Sequence, residues 1–218
     1  MTLIEEIIEK YKHLMDHTEE FNFVLSAFEK VIDSGIKSPV LEVGNNLGGS
    51  ALCFLEVLKQ KGAKNWLYTV DPYGSITYHN GAFFVEKSDY TNKVYRLATK
   101  EIANFCYYNN MNHYHFKCTS EEFMEKYAPI FVNYDDESKS SSLDKFSFIF
   151  LDGSHESKVV LKEFEYFVNK LELNGVIVVD DSEITGKQIQ SLIDSKWELK
   201  QVLKTTLYHQ RFFVERIA

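Results

Sequence analysis

Leu41-Glu42-Val43-Gly44-Asn45-Asn46-Leu47-Gly48-Gly49-Ser50 is the stretch on which the fold turns. The apolar run from Pro39 to Val43 reads as a short strand that stops at Gly44. Ala51, Leu55 and Leu58 form a helical stripe that ends near Gly62. A strand that enters a helix through a glycine turn is the opening unit of an open α/β sheet, where ligands bind outside the carboxyl ends of the strands. Glycines let the backbone approach a ligand closely, and the helix N-terminus offers free N–H groups to an anion. The spacing departs from G-x-G-x-x-G, which argues against a nicotinamide-dependent oxidoreductase. Taken alone, the turn is equally well a tight connection with no ligand.

Outward from this turn, strands and helices alternate. Trp66 to Val70 is a second strand, closed by Asp71-Pro72, and residues 92–110 read as helix. His113 to Lys117 alternates as a third strand, and Glu121 to Val132 reads as helix after the capping pair Thr119-Ser120. The polar run from Asn133 to Asp144 is expected as a solvated loop. Phe146 to Leu151 is a fourth strand. Val160, Phe164, Phe167 and Leu171 mark a helix that Asn174-Gly175 ends before a fifth strand, Val176 to Val179. A short helix near 186–195 precedes alternating stretches at 197–205 and 207–217, which predict a hairpin at one sheet edge. Before the sheet, Ile4, Ile7, Ile8 and Tyr11, then Phe23, Phe28 and Ile32, carry helical periodicity.

The expectation is therefore an α/β, Rossmann-like, doubly wound fold. Its seven-stranded sheet is mostly parallel, with helices on both faces, a C-terminal antiparallel hairpin and an N-terminal helical extension (1–36) ahead of a domain spanning 37–218. At 218 residues and 44% hydrophobic, the chain suits a single domain. A net charge of -8 weighs against nucleic-acid and anionic-membrane partners. Cys53, Cys106 and Cys118 are odd in number and lack metal-ligand spacing, so they read as reduced thiols. With no secretory h-region and no membrane-length apolar run, a soluble, cytoplasmic protein is expected.

Asp71 ends the second strand, where an acid can accept hydrogen bonds from both ribose hydroxyls. With the glycine turn, it points to an adenosine-containing ligand. Glu-x-Gly-x-x-x-Gly-Gly-Ser followed by this acid resembles the class I S-adenosylmethionine methyltransferases. That resemblance implies that Gly44, Asn45, Asn46, Gly48 and Ser50 surround the methionine part of S-adenosylmethionine, with Glu42 supporting the turn from behind. It also implies that Asp71 holds the ribose and that Ser120 and Glu121 flank the adenine.

Phe150-Leu151-Asp152-Gly153-Ser154-His155 and Val178-Val179-Asp180-Asp181-Ser182 each place acids after a buried strand. Adjacent parallel strands end about 5 Å apart, so Asp152, Asp180 and Asp181 are expected to converge. Clustered carboxylates repel unless neutralised, and an all-oxygen set suits Mg²⁺ or another divalent cation. Structural capping by strand-end Asp residues is the competing account. This run resembles the metal-dependent small-molecule O-methyltransferases of the catechol and antibiotic-sugar types, with the family-24 pattern nearest. The resemblance covers about residues 38–182 and implies a metal triad of Asp152, Asp180 and Asp181. Where the catechol type carries a lysine base, this chain has His155; histidine, as a residue type, is suited to general-base work near neutral pH.

The expected reaction is in-line methyl transfer to a hydroxyl of a small-molecule or sugar acceptor, with Asp152 and His155 as the catalytic residues. The alternatives are a metal-independent methyltransferase acting on another acceptor and a non-catalytic protein that keeps the fold. The aromatic segment from Tyr73 to Tyr90 is expected to form a lid. His113 and His115 read as structural, and His209 lies on the terminal hairpin. The N-terminal helices offer a surface for a homodimer.

Overall fold

The computed structural model describes residues 1–15, 18–74, 78–80, 83–85, 92–128, 132–134, 140–142, 145–180, 185–205 and 210–217. Helices α1 (Leu3–Tyr11) and α2 (Phe21–Asp33) precede β1 (Val40–Val43), α3 (Gly49–Gln60) and β2 (Leu67–Val70). A short antiparallel pair, β3 (Tyr78–Asn80) and β4 (Phe83–Val85), leads to α4 (Asn92–Asn109), β5 (His113–Phe116) and α5 (Ser120–Glu122). A second such pair is β6 (Val132–Tyr134) and β7 (Ser140–Ser142). Then follow β8 (Phe146–Leu151), α6 (Ser157–Val168), β9 (Leu171–Val179), α7 (Gly186–Asp194), β10 (Leu199–Thr205) and β11 (Arg211–Arg216).

Seven strands form one sheet in the order β10-β11-β9-β8-β1-β2-β5. All are parallel except β11, which runs antiparallel to both β9 and β10. The chain winds outward from β1 through β2 to β5, then returns to β8 on the other side of β1. The crevice between the carboxyl ends of β1 and β8 is thus the topological switch point, where this class of sheet binds ligands.

Strand side chains alternate between two apolar layers. Val40, Leu67, Phe148, Phe150, Val176, Val178 and Phe213 pack with α1, α2 and α3. Leu41, Val43, Ile149, Leu151, Ile177, Val179, Phe212 and Val214 pack with α6 and α7. The N-terminal helices therefore share the main core: Phe28 meets Phe54 and Phe148 edge-on, with centroids 4.9 and 5.0 Å apart. Burying each such ring stabilises the fold by about 1.5–3 kcal/mol. Helix α3 runs through the interior and carries the buried Glu56. Burial pushes this carboxyl up, but hydrogen bonds from Lys10, Gln60 and Tyr11 outweigh it and leave Glu56 at about 2.

The predicted fold is present, with the C-terminal hairpin at one sheet edge and three local departures. Helix α6 stops at Val168, and β9 begins at Leu171, before the Asn174-Gly175 pair rather than after it. Asn174 is left-handed (φ 63°), and a Cβ on Gly175 would lie 2.7 Å from the Ser147 carbonyl oxygen, so the pair forms a strand irregularity against β8. The helix after Thr119 is short and opens into a wider turn over Phe123–Tyr127. Val132, expected to end that helix, and Asn133–Tyr134 of the expected loop form a strand that pairs with Ser140–Ser142. The terminal hairpin enters the sheet by its last strand, which leaves β10 at the edge.

Candidate functional site

Backbone pairing aligns the strand ends that carry the expected residues. The Gly44 N–H donates to the Val70 carbonyl, Asp152 to Val43, Asp180 to Leu151 and Asp71 to Phe116. The glycine turn and three of the predicted acids thus share one end of the sheet. Gly44 has φ 88°, and a Cβ there would lie 2.1 Å from the Asp152 carbonyl oxygen, so only glycine fits between β1 and β8. Gly48 (φ 83°) is the N-cap of α3. A Cβ on Gly49 would meet Met15 at 2.5 Å, because the segment after α1 lies against the turn.

Asp71 is buried and organises this turn. Its Oδ2 accepts from the backbone N–H groups of Asn45 (2.8 Å) and Asn46 (3.1 Å), and its Oδ1 accepts from Tyr73 (3.0 Å). The Tyr73 hydroxyl donates to the Asn46 carbonyl (2.5 Å) and accepts from the Asn45 side-chain amide (2.8 Å). Tyr73 is therefore a buried brace beneath the turn and not part of a lid. Most of the expected lid lies outside the described residues; of 78–80 and 83–85, the strand pairing is described.

Glu42 is fully buried, and the Ser50 hydroxyl donates to its Oε1. Its Oε2 has no hydrogen-bond partner among the described residues, and neither has the buried Asn45 Oδ1. Burial raises the Glu42 carboxyl to about 8; the Ser50 hydrogen bond opposes that shift and the nearby Asp71 charge adds to it. Two buried acceptors without donors suit a ligand that brings a cationic group. The methionine ammonium of S-adenosylmethionine is such a group, so these residues fit the expected cofactor.

On the opposite flank, Ser120 is buried in the first turn of α5, after the Thr119 capping box. It hydrogen-bonds Glu163 of α6, whose carboxyl burial pushes up to about 7. Glu121 instead faces outward and pairs with Lys162 at 3.0 Å. His113 and His115 are structural, as expected: Thr69 Oγ1 bridges His113 Nε2 (2.9 Å) and His115 Nδ1 (2.8 Å). Burial lowers them to about 3 and about 4.

Beyond the glycine turn, Asp152 is exposed at the end of β8, and His155 lies in the turn before α6. Asp180 does not stand ready as a metal ligand. Its Oδ1 accepts from Arg211 Nε at 2.7 Å and its Oδ2 from Arg211 Nη2 at 3.0 Å, with both residues buried. Asp181 and His209 lie outside the described residues. Among the described residues, no group of three or more His, Cys, Asp or Glu could hold a metal ion.

Arg211, Tyr73 and Glu163 were not singled out from the sequence for these roles. Arg211 carried a usable signal: it opens the apolar strand Arg-Phe-Phe-Val, and a charge buried there requires a counterion.

The profile of a methyltransferase domain, family 24, matches residues 41–182, from strand β1 to the acids after β9. The chain belongs to the family-24 methyltransferases. This family-24 chain is accordingly an S-adenosylmethionine-dependent methyltransferase of the class I fold. Among solved structures, it is similar to an O-methyltransferase from Bacillus cereus in complex with SAH. The two share 14% identity over 99% of this chain and 90% of that one, with a TM-score of 0.58. The SAH-bound methyltransferase PaMTH1 of Podospora anserina is similar at 11% identity over 99% and 88% of the two chains, with a TM-score of 0.58. MycE of the mycinamycin pathway, solved with Mg, SAH and mycinamycin VI, shares 14% identity over 98% of this chain and 53% of its own, with a TM-score of 0.57. No curated protein matches the sequence. No described helix is long and apolar enough to cross a membrane.

Proposed function

We propose that this methyltransferase acts on a hydroxyl oxygen of a small-molecule or sugar acceptor. The observation that carries the reading is the convergence of Gly44, Asp71, Asp152 and Asp180 on one sheet end, with the acceptor atoms of Glu42 and Asn45 left for a cationic ligand. S-adenosylmethionine supplies a methyl group activated on a sulfonium. Glu42 and Asn45 hold its ammonium, Asp71 orients the ribose, and Ser120 shapes the adenine side. Asp152 orients the acceptor hydroxyl across the switch point, and His155 takes its proton. The similarity to the Bacillus cereus O-methyltransferase supports oxygen as the acceptor atom.

A divalent cation on Asp152, Asp180 and Asp181 is the finer expectation from sequence. The donor set does not fit it, because both Asp180 oxygens already accept from Arg211.

The test is methyl transfer from radiolabelled S-adenosylmethionine to a panel of sugars, glycosides, phenols and catechols. Transfer to a hydroxyl that falls roughly 100-fold in His155→Gln, with unchanged SAH affinity, is the expected result. Transfer only to amine or thiol acceptors would overturn the oxygen reading. Full activity in His155→Gln would remove the histidine as the base.

A further inference from the structure

We propose that Arg211 is the resident cation of the acceptor site and occupies the place a divalent metal would take beside Asp180, so that methyl transfer needs no metal ion. This rests on the methyltransferase reading above.

The topology builds the pair. Insertion of β11 beside β9 sets Phe212 opposite Val179, which brings Arg211 to the carboxyl end of β9, next to Asp180. Arg211 meets the carboxylate in a two-pronged fork, 2.7 and 3.0 Å long, the geometry in which guanidinium and carboxylate match best. A third N–H, on Nη1, donates to the Glu19 carbonyl at 2.8 Å. The guanidinium is thus pinned from two directions, by the end of β9 and by the turn that enters α2 through the left-handed Glu20.

Mg²⁺ demands oxygen ligands at about 2.0–2.1 Å in near-octahedral geometry. To ligate it, Asp180 must release at least one fork bond, and a dication would then lie against a guanidinium that cannot lose its charge. The guanidinium neutralises the buried Asp180 carboxylate, and removing either partner would strand a buried charge. The consequence for substrate is specific. An acceptor need not chelate, so a single hydroxyl suffices and a vicinal pair confers no advantage.

The experiment is a Mn²⁺ titration of the wild-type protein saturated with SAH, following free Mn²⁺ by electron paramagnetic resonance, with SAH binding measured by calorimetry in the same sample. Wild type is expected to show no Mn²⁺ site tighter than roughly millimolar. In Arg211→Ala, the freed Asp180 is expected to bind Mn²⁺ at least ~10-fold more tightly and to raise the melting temperature with added Mg²⁺. Arg211→Lys keeps a charge and is expected to remain indifferent to metal.

A stoichiometric Mn²⁺ site in wild type that Asp180→Asn removes would overturn the proposal. So would a folded Arg211→Ala variant that gains no Mn²⁺ affinity. If Arg211→Ala does not fold, the wild-type titration with its Asp180→Asn control decides alone. Failure of SAH to bind wild type would instead strike the methyltransferase reading, whereas SAH binding together with a wild-type Mn²⁺ site sinks only this inference.

Discussion

Glu42→Gln should make the protein more stable and a worse cofactor binder. Burial raises the Glu42 carboxyl from an ordinary 4.5 to about 8 in the folded, ligand-free protein. Between those values the unfolded chain has lost this proton while the folded chain keeps it, so stability falls as pH rises through the window. At about 1.4 kcal/mol per pH unit, the cost accumulated by pH 7 is about 3 kcal/mol. Glutamine has nearly the same shape, can still accept from Ser50 through its carbonyl, and never ionises. The variant should therefore melt higher than wild type at pH 7, with the gap shrinking toward pH 5. The opposite effect is expected on binding. An ammonium beside Oε2 favours the carboxylate, so SAH binding at pH 7 should expel roughly 0.9 proton per chain. Calorimetry in phosphate and in Tris, whose ionisation heats differ widely, reads that proton directly. Glu42→Gln should lose the buffer dependence and bind SAH at least ~10-fold more weakly. Equal heats in the two buffers for wild type would refute the assignment of Glu42 to the ammonium, and a lower-melting Glu42→Gln would refute the burial argument.

Other consequences are as direct. Gly44→Ala puts a methyl group into the Asp152 backbone at a left-handed position, so it should destabilise by about 3 kcal/mol or more and abolish SAH binding, as read by melting and calorimetry. Asp71→Asn points an amide at backbone N–H groups of the turn and should weaken SAH binding roughly tenfold or more while the sheet stays intact by circular dichroism. His113 and His115 titrate below their unfolded value of 6.5, so the stability their neutral forms contribute is present above about 6.5 and drains away as pH falls toward 4 and 3. His113→Gln should flatten the acid limb of a melting-temperature profile. Thr69→Val, which removes the hydroxyl between the two rings, should cost about 1–3 kcal/mol without altering SAH affinity.

The sheet and its ligand-binding end were legible because each strand is a short apolar run punctuated by a functional residue. Gly44, Asp71, Asp152 and Asp180 all follow such runs, and parallel pairing then aligns them without further information. The roles of individual acids were less legible, since they depend on strand order. Two alternating stretches at the C-terminus predict a hairpin, but nothing local says which member enters the sheet. Insertion of β11 is what brings Arg211 to Asp180 and changes the chemistry of that corner. Tyr73 misled for a related reason: its flanking aromatics suggested a lid, whereas the Asp71 hydrogen bond to its backbone turns the ring inward. Glu121 sits one residue from the buried Ser120, yet helical geometry rotates it outward to Lys162. The Asn174-Gly175 pair resembled a helix end because the same left-handed conformation serves both a helix C-terminus and a strand irregularity.

The central claim is one S-adenosylmethionine site at the β1–β8 switch point, and equilibrium dialysis with radiolabelled S-adenosylmethionine tests it most directly. The account predicts one saturable site per chain, displaced by SAH, lost in Gly44→Ala and indifferent to EDTA. Absence of saturable binding to wild type, or a site that survives Gly44→Ala unchanged, would contradict it.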